Sequence, residues 1–179
     1  MKILAFETSC DETGIALIEE KQGQVKVLAN LVASQTETHR PYGGVVPNLA
    51  KREHQKNLPL LLDQLTVSLR SYAHGIENVD LIAVTQGPGL APCLWAGINF
   101  AQELAQKLNK PLVGINHLKG HIYIALSELT NPKFQETSSK IQISTHPFGA
   151  WVLELGAWLD LSRNKWNQRE MSSPFYCGR

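Results

Sequence analysis

The first 34 residues hold three apolar segments divided by turn chemistry, and this pattern constrains the fold more than any other feature. Lys2-Ile-Leu-Ala-Phe-Glu7 is an apolar run of strand length, and Ile15-Ala-Leu-Ile-Glu19 is a second. Thr8-Ser-Cys-Asp-Glu-Thr-Gly14 between them is polar and turn-forming. Lys21-Gln-Gly-Gln24 is a hairpin turn into a third strand, Val25 to Ser34, carrying Val25, Val27, Leu31 and Val32. Strands so closely linked pair as an antiparallel meander.

The pattern then changes to alternation. After Tyr42-Gly-Gly-Val-Val-Pro47, a glycine-rich loop, Leu49, His54, Leu58, Leu61, Leu62, Leu65 and Leu69 recur at helical spacing, with Pro59 expected to kink or split the helix. Val79-Asp-Leu-Ile-Ala-Val84 is a fourth strand, Thr85-Gln-Gly-Pro-Gly-Leu90 a second glycine loop and Leu94 to Leu108 a helix. Pro111-Leu-Val-Gly-Ile115 is a fifth strand, and a helix starts at Asn116. This order predicts an α/β layer with a mixed five-stranded sheet, strands four and five lying parallel to strand one. It resembles the unit that opens the lobes of actin-like, ribonuclease H-like ATPases.

Composition removes several classes of function. Lys plus Arg is 17 against 16 Asp plus Glu, a net charge of +1, which excludes a basic nucleic-acid arm and an acidic tail while leaving room for a local basic patch. No stretch approaches the roughly 20 apolar residues of a membrane span. Met1-Lys-Ile-Leu-Ala-Phe is followed at once by Glu7 and Asp11, too short and too acidic for a signal peptide, so a cytoplasmic location is expected. Cys10, Cys93 and Cys177 have no metal-binding spacing and read as reduced thiols.

His117-Leu-Lys-Gly-His121 is the sharpest local signal. Histidines at i and i+4 on a helix point the same way and can share one metal ion, or they form a satisfied pair near a helix start. A bound metal needs a third ligand from elsewhere, and Leu118 stands where a metalloprotease motif has Glu. The loop after the first strand offers Thr8 and Ser9 hydroxyls and backbone N–H groups to an anion, with Asp11 or Glu12 able to hold a cation or position a water; an ordinary surface turn is the alternative. Gly43 and Gly44 after Tyr42 permit close approach of a ligand to backbone. Gly87-Pro-Gly89 either wraps an anion at a helix start or is a plain strand-to-helix turn. Lys51, Arg52, His54 and Lys56 form a basic cluster, read as a solvated helix face rather than an RNA contact, and His39, His74 and His146 are read as surface residues.

In order and spacing, Glu7-Thr-Ser-Cys-Asp-Glu-Thr-Gly14, Tyr42-Gly-Gly-Val-Val-Pro-Asn-Leu-Ala50, Arg52-Glu-His54, Thr85-Gln-Gly-Pro-Gly-Leu90 and His117-Leu-Lys-Gly-His121 resemble the TsaD/Gcp family of tRNA N6-adenosine threonylcarbamoyltransferases. The resemblance covers about residues 1–128. It implies an actin-like fold of two similar lobes and transfer of a threonylcarbamoyl group from threonylcarbamoyl-AMP to N6 of the adenosine beside the tRNA anticodon. It further implies one divalent metal ion, iron or zinc, held by His117, His121 and an aspartate near the family's C-terminus. Asp11 or Glu12 is the implied proton acceptor, and Thr8, Ser9, Tyr42, Gly43, Gly44, Gly87 and Gly89 belong to loops facing substrate and nucleotide. TsaB-like and other proteins of the same pathway are the implied partners.

Residues 129–179 depart from the family pattern. A polar linker, Asn131 to Lys140, precedes a stretch with three of the four tryptophans and no clean period. The family's Ser-Gly-Gly-His loop and its aspartate motif do not occur there, and Asp160 in Leu-Asp-Leu-Ser does not match the ligand motif. The nucleotide site is therefore expected to be largely missing, and the tail to be disordered, frameshift-derived or a replacement. Two further readings stay open at this point. One is a truncated transferase with little activity alone. The other is a non-catalytic actin-like module that pairs with a pathway partner.

Overall fold

The computed structural model of the chain describes residues 1–22, 24–70 and 75–122. The expected second unit at 129–179 lies outside the described residues, as do His74, His146, Asp160 and Cys177.

Five strands form one sheet: β1 Lys2–Glu7, β2 Glu12–Lys21, β3 Gln24–Ser34, β4 Leu81–Gly87 and β5 Leu112–Asn116, in the spatial order β3-β2-β1-β4-β5. β1 runs antiparallel to β2 from Lys2↔Glu19 to Glu7↔Gly14, and β2 antiparallel to β3. β4 lies parallel to β1, and β5 parallel to β4. This is the predicted mixed sheet, and its parallel half needs the helical crossovers that the alternation provides.

Strand residues alternate between two apolar faces. Leu4, Phe6, Ile15, Leu17, Leu31, Ile82 and Val84 pack on one side, and Ile3, Ala5, Ala16, Ile18, Leu81 and Ala83 on the other. Burial on both sides explains why β1 and β4 read as continuous apolar runs. The first face receives two helices, α2 Pro47–Arg70 and α3 Ala91–Leu108. A short helix α1, Thr36–His39, and a 3-10 turn, Arg40–Tyr42, precede them and were not anticipated.

Pro59 does not split the helix: α2 is one element with Pro59 inside it. Pro59 lies on the exposed side, where water can meet the carbonyl that loses its partner. Ala50, His54, Leu58, Leu61 and Leu65 form the inward row and hold the helix on the sheet, and each fully buried leucine contributes about 1.5–3 kcal/mol. His54 is therefore not part of a solvated basic face; Lys51, Arg52 and Lys56 are exposed and His54 points the other way. His39 is likewise buried rather than on the surface.

α3 sits close on the first loop. The Thr8 hydroxyl donates to the Cys93 carbonyl at 2.8 Å, and a Cβ at Gly97 would strike the Thr8 side chain. Gly97 is the residue that lets helix and loop touch. Gly97→Ala is predicted to cost about 1–3 kcal/mol by overpacking. Urea unfolding checks this, with a midpoint equal to wild type as the contrary result.

Candidate functional site

The three parallel strands end at the same edge of the sheet, the usual place for a ligand crevice in such folds. Glu7 closes β1, Thr85 lies near the end of β4, and Asn116 closes β5. The chemistry-bearing residues follow from these ends.

Glu7 is the junction. Its carboxylate is buried, accepts the Ser9 N–H at 2.5 Å and the Thr85 hydroxyl, and lies 3.5 Å from Nδ1 of His117. Burial works to raise the carboxyl, but hydrogen bonds from His117, Ser9 and Thr85 outweigh it and hold it below the usual carboxylate range. Glu7 is thus an anion facing the back of a histidine. In the sequence Glu7 ends the first strand and opens the first motif, with no role at the site assigned to it. Its signal there is a carboxylate at the end of an otherwise apolar run.

Residues 117–122 are helical. Asn116 caps them, its Oδ1 accepting the Lys119 N–H at 3.0 Å. His117 and His121 converge as their spacing predicts. Their Nε2 atoms are 3.0 Å apart and their rings meet edge to face with centroids 4.6 Å apart. At that separation one ring nitrogen donates a hydrogen bond to the other, and both lie within reach of a single ion at about 2.1 Å, at an angle of roughly 90°. Among the described residues no cluster of three His, Cys, Asp or Glu side chains can hold a metal. Two imidazole nitrogens are what this pair offers a cation, and a third ligand is not among the described residues.

The first loop packs against the second. Leu90 N–H donates to the Ser9 carbonyl at 2.8 Å, and a Cβ on Gly89 would lie 2.6 Å from that same oxygen. Thr8 and Ser9 are buried, with the Thr8 hydroxyl on the Cys93 carbonyl and the Ser9 N–H on Glu7, so this part of the loop supports the second loop rather than offering its groups to an anion as the sequence suggests. Asp11 and Glu12 are half-buried. Tyr42, Gly43 and Gly44 are exposed at the end of the 3-10 turn, where Gly43 adopts φ 68°. Burial first, then Asp11, pushes the Cys10 thiol up to about 11, and burial does the same to Cys93. Neither thiol is a thiolate nucleophile near neutral pH.

A meander continued by parallel strands, with helices packed against it, is the ribonuclease H-like lobe found in actin-like ATPases. RuvC of Thermus thermophilus bound to a Holliday junction substrate shares this fold, with a TM-score of 0.53 over 90% of this chain and 96% of that one, at 11% identity. A family model described as TsaD, tRNA N6-adenosine threonylcarbamoyltransferase, matches residues 26–136. A Fervidobacterium nodosum protein named tRNA N6-adenosine threonylcarbamoyltransferase is 50% identical over 123 residues, 69% of this chain and 34% of the relative. One of the same name from Thermosipho melanesiensis is 43% identical over 148 residues, 80% of this chain and 42% of the relative. The chain belongs to the TsaD family. It spans 34% and 42% of the length of these two curated relatives.

His54 ties this edge of the sheet to α2. It is wholly buried, with Nε2 3.0 Å from the Cys10 carbonyl and Nδ1 2.8 Å from the Thr13 hydroxyl. Burial lowers its pKa against the opposing pull of the Cys10 carbonyl, Glu7 and Asp11, with His39 adding to the decrease. The unfolded chain therefore takes up the proton first. The stability due to neutral His54 is complete above the ordinary histidine value of about 6.5 and is lost as pH falls below it. Urea midpoints are predicted to drop between about pH 7.5 and about pH 5.5, and to drop less in His54→Gln. Equal drops in the two proteins would contradict this.

Proposed function

We propose that residues 1–128 are the lobe of a threonylcarbamoyl transferase that carries its cation-binding histidines. The group moves from threonylcarbamoyl-AMP to N6 of the adenosine beside the tRNA anticodon, in the cytoplasm, with a TsaB-like partner among the accessory proteins. The observation that carries this reading is the 3.0 Å convergence of His117 and His121, with the Glu7 carboxylate behind His117. Family membership supports it.

The roles follow from position. His117 and His121 would hold one divalent ion, iron or zinc, as two ligands of its set; when bound, the ion would polarise and orient the acyl group. The Glu7 carboxylate, 3.5 Å from Nδ1 of His117, favours a proton on that nitrogen and so a lone pair on Nε2. Asp11 or Glu12 accepts the proton that N6 loses as its new bond to the carbamoyl carbon forms and the AMP phosphate leaves. The second glycine loop, with Gly87 and Gly89, faces the phosphate, held in place by Thr8 and Ser9 beneath it, and the turn at Tyr42, Gly43 and Gly44 forms a second wall.

A second reading, a non-catalytic module that pairs with a related protein, draws on Leu60 and Val67, two turns apart on α2 and both exposed. The two readings separate on cation binding. Titration of the purified chain with cobalt or zinc is predicted to show a site whose affinity falls at least about tenfold in His117→Ala and in His121→Ala. Binding unchanged by both substitutions would overturn the transferase reading. Stable pairing with a TsaB-like protein without any cation would favour the module.

A further inference from the structure

A line of buried hydrogen bonds runs from the turn before α2 to the loop after β1, and main-chain groups fix its direction at both ends. The Val46 N–H can only donate, so Nδ1 of His39, 3.3 Å away, accepts. The proton of a neutral His39 then sits on Nε2, 3.1 Å from Oε1 of Gln35. The Gln35 amide is oriented independently, because its Nε2 faces the Ala50 carbonyl at 3.4 Å. The same amide nitrogen lies 3.3 Å from Nδ1 of His54, which accepts and shares its lone pair with the Thr13 hydroxyl at 2.8 Å. His54 therefore carries its proton on Nε2, the atom that faces the Cys10 carbonyl at 3.0 Å. Three separate main-chain anchors, at Val46, Ala50 and Cys10, demand the same assignment. Every link points one way.

The three side chains of the line are sealed from water, with Gln35, His39 and His54 1%, 4% and 0% exposed, while its end links at Val46 and Cys10 are part-buried. Gln35 adds a second tie, its backbone N–H donating to the Asp11 carbonyl at 2.9 Å. Consecutive carbonyls of the first loop, Cys10 and Asp11, are thus both held by this group. In a medium of low dielectric, aligned hydrogen bonds polarise one another, and a reversed link would set donor against donor.

We propose that His39, Gln35 and His54 are positioning residues that fix the Thr8–Asp11 loop relative to the Gly43–Val46 turn. The purpose rests on reading those two segments as walls of the substrate site; the geometry stands without that reading. A merely space-filling polar cluster would satisfy each group locally and transmit nothing from one loop to the other.

Imidazole nitrogen NMR on the full chain tests this. Both His39 and His54 are expected as the Nε2–H tautomer, and an Nδ1–H assignment for either overturns the proposal. Gln35→Met, close in shape but unable to hydrogen-bond, interrupts the line at its middle. The Asp11 and Val46 amide signals are expected to shift together, with loss of the single tautomer at His39. Signals at Asp11 and Val46 that stay at their wild-type positions refute the coupling. If that variant does not fold, His39→Gln is read by the same criterion at Asp11. Zinc titration of the same variants keeps the two ideas apart: binding that persists while Asp11 and Val46 uncouple leaves the histidine-pair reading intact.

Discussion

A single buried carboxylate at the end of the central strand organises the functional edge of this protein. Glu7 receives the Ser9 N–H, the Thr85 hydroxyl and the near face of His117. Each partner comes from a different stretch of chain: the loop after β1, the end of β4 and the helical turn after β5. A buried charge is tolerated only when it is paired and hydrogen-bonded, so these three partners are also what keep Glu7 ionised. Removing any one strips a buried charge of part of its compensation.

From that point the rest of the edge follows. With Glu7 behind His117, the imidazole is turned so that Nε2 meets Nε2 of His121. With the Ser9 N–H committed to Glu7, the Ser9 carbonyl is left to the Leu90 N–H, which draws the two glycine-bearing loops together. Gly89 and Gly97 permit this approach because a side chain at either would collide with Ser9 or Thr8. The family to which the chain belongs gives these contacts a chemical context.

Much of the scaffold was readable from residue order. Alternating apolar runs and turns gave the meander, and strand–helix alternation gave the parallel half. Boundaries slipped where local chemistry competed with periodicity. α3 begins at Ala91 rather than Leu94 because Pro92 sits in the first turn, where a missing N–H costs nothing. Pro59 failed to break α2 because packing of the leucine row outweighed the lost hydrogen bond.

The site was legible only where its residues were neighbours in sequence. His117 and His121 lie one helical turn apart, so spacing alone predicts their convergence. Glu7 could not be found that way, since Thr85 and His117 reach it only through the sheet. His54 stood in the same row as Leu58 and Leu65, but its charged neighbours Arg52 and Lys56 drew it into a surface cluster. X-ray absorption of the zinc-loaded chain tests the central claim most directly. The account predicts imidazole scattering from two histidines at about 2.1 Å; a zinc shell with no imidazole, or one unchanged by His117→Ala, would contradict it.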